Sequence, residues 1–361
     1  MKVVSQLLLG LALSFALQAW KYGLPRAPVA VGRVALRWGF RLGALLASHE
    51  GRAWVTPGEH APPSGQLALF QNVVAGHEPG DHIGCVGGKL SDTGIRIWAS
   101  SFASPGVTMM LGVVPTSCEQ RAAGFPGESL WLDANLRLPH DEGAPVLVYC
   151  HSGGAIVGSP HVDKGFPFNL HLATGFRVLS LAYPLAPKHR APAAGAAVAQ
   201  AIARLGKRRV VLVGFSGGAY PVLQAVLDHG VQPAGVALVS PMVAGRADLP
   251  SHRLHANKDI FSHDWIGCMQ EASYEAGKET LLDKDWAAFA SIPAFVQASS
   301  NEVFTDDAVE AARRMREAGG NATLDLVPHA PHGMALFVEL IPEADAAMHR
   351  LASWLKQMLG K

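Results

Sequence analysis

From about residue 86 to the C-terminus, short runs of apolar residues alternate with longer stretches in which apolar positions recur at helical spacing. Runs such as Val146–Cys150 (VLVYC) and Arg209–Val213 (RVVLV) do not alternate between apolar and polar. Continuous runs of this kind predict strands covered on both faces, and therefore a mostly parallel sheet. The strand candidates are Ile95–Ser100, Val146–Cys150, Arg177–Ala182, Arg209–Val213, Val236–Ser240, Ala294–Ala298 and Thr323–Val327. Between and after them, helical spacing is found over Ala191–Leu205, Ala219–Asp228, Asp306–Ala318 and Pro342–Met358. Strands alternating with helices in this order predict a doubly wound α/β core. The rhythm breaks from about residue 244 to 292, where Trp265, Trp286 and several Phe and Met residues fall. This segment reads as an insertion that helps to roof a site. No internal repeat or long low-complexity segment is found.

The N-terminal residues follow a different pattern. No charge occurs between Lys2 and Lys21, and Leu7–Leu13 is strongly apolar. A signal peptide, a signal anchor or a docking helix each fits that run, since Val3 to Trp20 is just long enough to span a bilayer. Arg33, Arg37 and Arg41 then lie four apart on one face of an otherwise apolar stretch, Val29–Ser48. A basic amphipathic helix can rest on an anionic membrane, and a lid helix with its arginines in solvent fits equally. Residues 1–55 are therefore expected to act as a membrane anchor or as part of a cap. Either a membrane-associated or secretory location, or a cytoplasmic one, is compatible with this. Residues 56–85, which begin with the Pro- and Gly-rich TPGEHAPPSG, are read as a linker, and 86–361 as the catalytic domain.

Composition narrows the class. Apolar residues make up 49% of the 361 residues and charged ones 16%, which suits a compact globular protein. A formal charge of +1 gives no reason to expect a nucleic-acid partner. Cys85, Cys118, Cys150 and Cys268 are scattered without C-x-x-C spacing, so neither a zinc site nor a small disulfide scaffold is indicated. Cys150 reads as a buried thiol, and whether Cys85 and Cys118 pair is left open.

The chemistry centres on GFSGG at Gly214–Gly218, directly after an apolar strand. Gly-x-Ser-x-Gly is the spelling of a strand-to-helix turn so sharp that the serine backbone is strained and its neighbours must be small. Ser216 is the candidate nucleophile. HSGG at His151–Gly154 follows an earlier strand, and consecutive glycines leave backbone N–H groups free to converge on a developing oxyanion. Gly153, Gly154 and Gly217 are the expected donors, with His151 bracing the loop. A serine hydroxyl needs an imidazole to take its proton. In this chain order the acid and then the base follow the serine, each after a later strand. Among sixteen histidines, His332 in LVPHAPHGMALF is the expected base and His329 the runner-up. The acid is sought in SSNEVFTDDA, where Glu302 comes first after the strand. Asp306 and Asp307 remain open as acids but also suit the N-cap and first turn of a helix. Asn301 could hydrogen-bond an imidazole without supplying charge.

Several segments, in order, resemble the hormone-sensitive-lipase-like branch of the α/β-hydrolases, from about Ala144 to the C-terminus. They are CHSGGAIVGS, LAYPLAPKHRAPAA, GFSGG, SPMV at Ser240–Val243, ANKD at Ala256–Asp259, NEVFTDDA and PHGMALF. This chain departs from the family pattern at Ser152, Pro184, Lys188, Phe215, Gly217 and Asn301. The resemblance implies an α/β-hydrolase fold with a helical cap built from N-terminal residues and the insertion. It also implies hydrolysis of short- to medium-chain carboxylic esters through an acyl-enzyme, with no metal or organic cofactor and a small-molecule ester as substrate. Alternatives are a membrane- or lipid-associated lipase, a hydrolase of secondary-metabolite esters, and a non-catalytic small-molecule receptor on the same fold. Oligomeric state is not readable.

Overall fold

A computed structural model describes residues 64, 67, 85–86, 89–92, 95–96, 114–136, 143–189, 193–245, 248–256, 258–273 and 280–360. The strands are β1 (Cys85–Val86), β2 (Lys89–Leu90), β3 (Glu119–Arg121), β4 (Leu130–Leu132), β5 (Val146–Cys150), β6 (Arg177–Leu181), β7 (Val210–Phe215), β8 (Gly235–Val239), β9 (Ala294–Ser299) and β10 (Ala322–Val327). The α-helices are α1 (Gly165–Thr174), α2 (Ala193–Leu205), α3 (Ala219–Leu227), α4 (Pro250–Leu254), α5 (His263–Ser273), α6 (Thr305–Glu317) and α7 (Pro342–Leu359).

The main sheet has eight strands in the order β10-β9-β8-β7-β5-β6-β4-β3. From β6 to β10 every pairing is parallel, while β4 runs antiparallel to β6 and β3 antiparallel to β4. Alternate residues of each central strand enter opposite cores. On one face Val146, Val148, Val210 and Leu212 pack with α2, α3 and α6 residues such as Val198, Val222 and Ala311. On the other, Leu147, Tyr149, Val211 and Val213 pack with Leu170 of α1 and Leu351 and Leu355 of α7. This two-sided burial is the physical reason that the central strands read as unbroken apolar runs.

Local chemistry sets the helix ends. Pro342 opens α7, where its missing N–H costs nothing, and Gly360 closes it at φ +80°. Gly175 closes α1 at φ +72°.

Several elements differ from the sequence reading. Ile95 and Arg96, expected in a strand, are helical, with the Ile95 N–H bonded to Ser91 O at 3.0 Å. Ser91 and Asp92 suit a helix start, and Ile95 packs on an apolar cluster that includes Ile156 and Phe304. α1 was not anticipated, because it is buried nearly all round and contains Pro167. The short antiparallel strands β3 and β4 were also not anticipated. Within the span read as a linker, Ser64 and Leu67 are attached to the body. Ser64 donates from its N–H and Oγ to the Glu343 carboxylate, each at 2.6 Å, and its Oγ accepts the Leu67 N–H. Leu67 is fully buried in the α7 core.

The candidate anchor or cap at residues 1–55 lies outside the described residues. Among the described residues no helix is long and apolar enough to cross a membrane. Cys118 and Cys150 are free and buried, and Cys268 on α5 is in a disulfide.

Candidate active site

At the end of β7 the chain turns directly into α3, and Ser216 takes φ +52°. Such a backbone is costly for a residue with a Cβ, so the surroundings must impose it. A Cβ at Gly218 would lie 2.1 Å from Cys150 O, and one at Gly214 would lie 2.6 Å from the Ala219 Cα. Both small residues are therefore demanded by the approach of β5 and α3 to the turn. Gly217 packs on the neighbouring loop, where a Cβ would come within 2.3 Å of Ala155 N.

That neighbouring loop is His151–Gly154, after β5. Gly153 and Gly154 have φ of +111° and +63°. Ser152 is not among the residues with positive φ, so the Cβ that replaces a glycine's hydrogen is accommodated. The Gly153 carbonyl accepts the N–H groups of Ile156 (3.1 Å) and Val157 (3.0 Å), which closes a tight turn. The contact between Gly217 and Gly154 brings the three glycines expected as donors into one place.

His151 lies beneath this loop and is buried. Its Nδ1 is 2.8 Å from Ser152 O, its ring stacks on Tyr183 at 4.3 Å, and Tyr183 donates its hydroxyl to His151 O at 2.7 Å. Burial pushes its pKa down to about 4, against the opposing Ser152 hydrogen bond. A neutral, wedged imidazole of this kind holds a loop and does not exchange protons near neutral pH. From the other side, Asp163 Oδ2 accepts the Ser152 N–H and the Tyr149 hydroxyl, both at 2.8 Å. Burial raises the Asp163 pKa to about 6 despite those bonds.

His332, in the loop after β10, places Nε2 2.9 Å from Ser216 Oγ. His329 does not reach the serine; its N–H instead donates to Ser300 Oγ at 2.9 Å. Glu302, fully buried after β9, holds Oε2 3.6 Å from His332 Nδ1, an ion-pair separation longer than a hydrogen bond. The same oxygen accepts the hydroxyl of Ser240 at 2.8 Å. Ser240 has φ +46°, a strained backbone one residue past β8 that delivers this hydroxyl to the carboxylate. Burial works against an imidazolium at His332, but the nearby carboxylate of Glu302, followed by the charges of Asp259 and Asp307, outweighs it and raises its pKa.

The other carboxylates considered as the acid lie elsewhere. Asp306 accepts the Ser251 N–H at 2.8 Å. Asp307 accepts the N–H groups of Val243 and Ala244, each at 2.7 Å, and pairs with His252 Nε2 at 2.6 Å. Both sit in the first turn of α6, while Phe304 takes the N-cap position. Asn301 accepts the Ser300 hydroxyl at 3.2 Å. Two residues of the insertion touch this centre: Phe261 lies 5.3 Å from the His332 ring, and Ser273 Oγ reaches Gly154 O at 3.4 Å. Among the described residues no group of three or more His, Cys, Asp or Glu could hold a metal ion.

Residues 147–336, more than half of the chain, match a family model described as alpha/beta hydrolase fold. The chain belongs to this family. Curated relatives are similar to it in sequence. An acetyl-hydrolase of Streptomyces hygroscopicus is 26% identical over 236 residues, covering 62% of this chain and 79% of the relative. Carboxylesterase NlhH of Mycobacterium tuberculosis is 29% identical over 239 residues, covering 60% and 74%. Among solved structures, an esterase/lipase from an uncultured bacterium superposes with a TM-score of 0.67 at 20% identity, covering 82% of this chain and 99% of that one. An esterase from the bacterial hormone-sensitive lipase family gives 0.64 at 23% identity, covering 80% and 98%. At these identities the structures show the fold.

In this α/β-hydrolase-fold chain the residues that sequence reasoning left without a role are Tyr183, Asp163, Ser240 and Asp259. Tyr183, Ser240 and Asp259 fall inside segments that carried the family resemblance, which is the signal that marked their neighbourhoods. Asp163 acts by accepting a backbone N–H and a tyrosine hydroxyl, a role with no sequence spacing of its own.

Proposed function

We propose that this protein is a serine carboxylesterase acting on short- to medium-chain esters. The 2.9 Å contact between Ser216 Oγ, on its strained turn, and His332 Nε2 carries the reading. Ser216 attacks the ester carbonyl carbon while its proton passes to His332 Nε2. Glu302 faces Nδ1 and stabilises the imidazolium. The negative oxygen of the tetrahedral intermediate is taken by the N–H groups of Gly153, Gly154 and Gly217, each worth about 3 kcal/mol in comparable sites. His332 returns the proton to the departing alcohol. Water then enters by the same proton path, and the acid leaves.

The names of the relatives, an acetyl-hydrolase and a carboxylesterase, support a small carboxylic ester as substrate. An apolar cluster of Ile156, Val157, Met242, Ile266, Met269 and Phe304 reaches His332 through the Phe304 ring at 5.1 Å, a setting that suits a hydrocarbon acyl or alcohol group. The insertion is read as part of a cap over the site, which it touches through Phe261 and Ser273. No metal or organic cofactor enters this sequence of steps.

Hydrolysis of p-nitrophenyl acetate, butyrate and decanoate near pH 8 tests the reading. Wild-type turnover that falls about 10⁴-fold or more in Ser216→Ala is expected. Turnover that survives this change would remove Ser216 from the chemistry. No wild-type turnover in folded protein would favour a receptor on this scaffold.

A further inference from the structure

Asp259 belongs to the insertion, in the turn between α4 and α5, and is buried with 2% of its surface exposed. Its Oδ1 accepts the backbone N–H of His332 at 2.9 Å and that of Ile260 at 2.7 Å. Its Oδ2 accepts the backbone N–H of Val303, the residue after Glu302, at 2.7 Å. One side chain of the insertion thus grips both the loop that bears the base and the loop that bears the acid. Three N–H donors converge on it, and a carboxylate is the side chain that offers two acceptor oxygens and no donor. An asparagine would turn its NH₂ toward one of those N–H groups.

We propose that Asp259 is a positioning residue for ester hydrolysis, fixing the His332 and Glu302 loops relative to each other and setting a second carboxylate behind the imidazole. The inference rests on the esterase reading above and adds a residue to it. Glu302 stands 3.6 Å from Nδ1 and shares its nearer oxygen with Ser240, and the charge of Asp259 adds to its stabilisation of an imidazolium. Among the described residues three carboxylates act on His332. Glu302 comes from the loop after β9, Asp259 from the insertion, and Asp307 from α6, where it is paired with His252 of α4. Ser216 and the rings of Phe261 and Phe304 also lie against His332. Burial raises the Asp259 pKa to about 6, against the pull of the His332 charge. Its negative charge is therefore lost only as pH falls through about 6.

The test is kcat/KM and kcat against pH with p-nitrophenyl butyrate for wild type, Asp259→Asn and Asp259→Glu. Folded, reactive sites are counted by labelling with a fluorophosphonate. In Asp259→Asn, kcat should fall about 10-fold with KM changed less than about twofold, because misplacement costs transition-state alignment. The acid limb should also move down by about half a pH unit, because a negative charge near the imidazole is gone. Asp259→Glu keeps the charge on a longer arm, so kcat should fall while the limb stays within about 0.2 pH unit of wild type. A folded Asn variant with wild-type kcat overturns the proposal. So does one that loses kcat with an unmoved limb, since that is a merely structural role. If the Asn variant does not fold, Asp259→Glu decides: wild-type kcat or a displaced limb overturns the proposal, and reduced kcat with an unmoved limb supports it. A wild-type protein inactive on every ester would instead strike the esterase reading itself.

Discussion

At His332 two opposing effects decide how the protein responds to pH. Burial by itself disfavours the imidazolium, yet Glu302, Asp259 and Asp307 surround it with negative charge and the balance raises its pKa above the usual 6.5. The base must be neutral to take the Ser216 proton, so activity should fall as pH drops through this raised value. A kcat/KM profile on p-nitrophenyl butyrate is expected to show an acid limb above pH 6.5. Glu302→Ala should cut kcat by about 10²- to 10⁴-fold and bring the limb down, because the group that most strongly holds the proton has gone. A limb below 6 in the wild type would mean that burial dominates and that Glu302 is too distant to matter. Ser240 belongs to the same balance. Its hydroxyl holds Glu302 Oε2 at 2.8 Å and keeps the carboxylate turned toward the site, at the expense of a φ of +46°.

The elements that place these residues differ in how openly the chain declares them. The turn after β7 is spelled by its glycines because nothing larger fits. Gly218→Ala would set a Cβ 2.1 Å from Cys150 O, a backbone atom of β5 that cannot swing aside as a side chain end would. Relief requires β5 and the turn to separate, so this substitution should lower stability by about 2–3 kcal/mol and kcat by at least about 10-fold. Urea denaturation together with ester turnover measures both, and a wild-type result would show that the turn is looser than its contacts. The central strands were legible for a related reason, since burial on two faces leaves no polar positions. α1 was hidden for a related reason: most of its residues are buried, its exposed position Leu172 is apolar, and Pro167 argues against a helix. Ile95 was misplaced because a six-residue run of mixed apolar character, Ile95–Ser100, satisfies a strand and a helix turn equally. Ser216, His332 and Glu302 could be chosen because chain order constrains them. Asp163 and Asp259 could not, because accepting a backbone N–H from a distant loop requires only a carboxylate somewhere in the fold.

Across the molecule, the insertion between β8 and β9 is fastened to the sheet by buried carboxylates as well as by apolar contact. Asp259 grips two loops at the edge of the site. On the other side of Phe304, Asp307 of α6 accepts the N–H groups of Val243 and Ala244, where the chain leaves β8, and meets His252 of α4 at 2.6 Å. The side chains of His252 and Asp307 are both fully buried, and the Phe304 ring lies 5.7 Å from the His252 ring and 5.1 Å from the His332 ring. Deleting one partner strands the other in an apolar setting, which is far more damaging than deleting both. Asp307→Ala is accordingly expected to cost about 3–5 kcal/mol in urea unfolding, with part of that loss coming from the two orphaned N–H groups. His252→Leu should cost less, because Asp307 keeps its two backbone donors. Combining them should lose less than the sum of the single losses by about 1–3 kcal/mol, the coupling of a contacting pair. Strict additivity would show that the 2.6 Å contact contributes nothing of its own. The insertion would then owe its attachment to the Phe304 cluster and to Asp259.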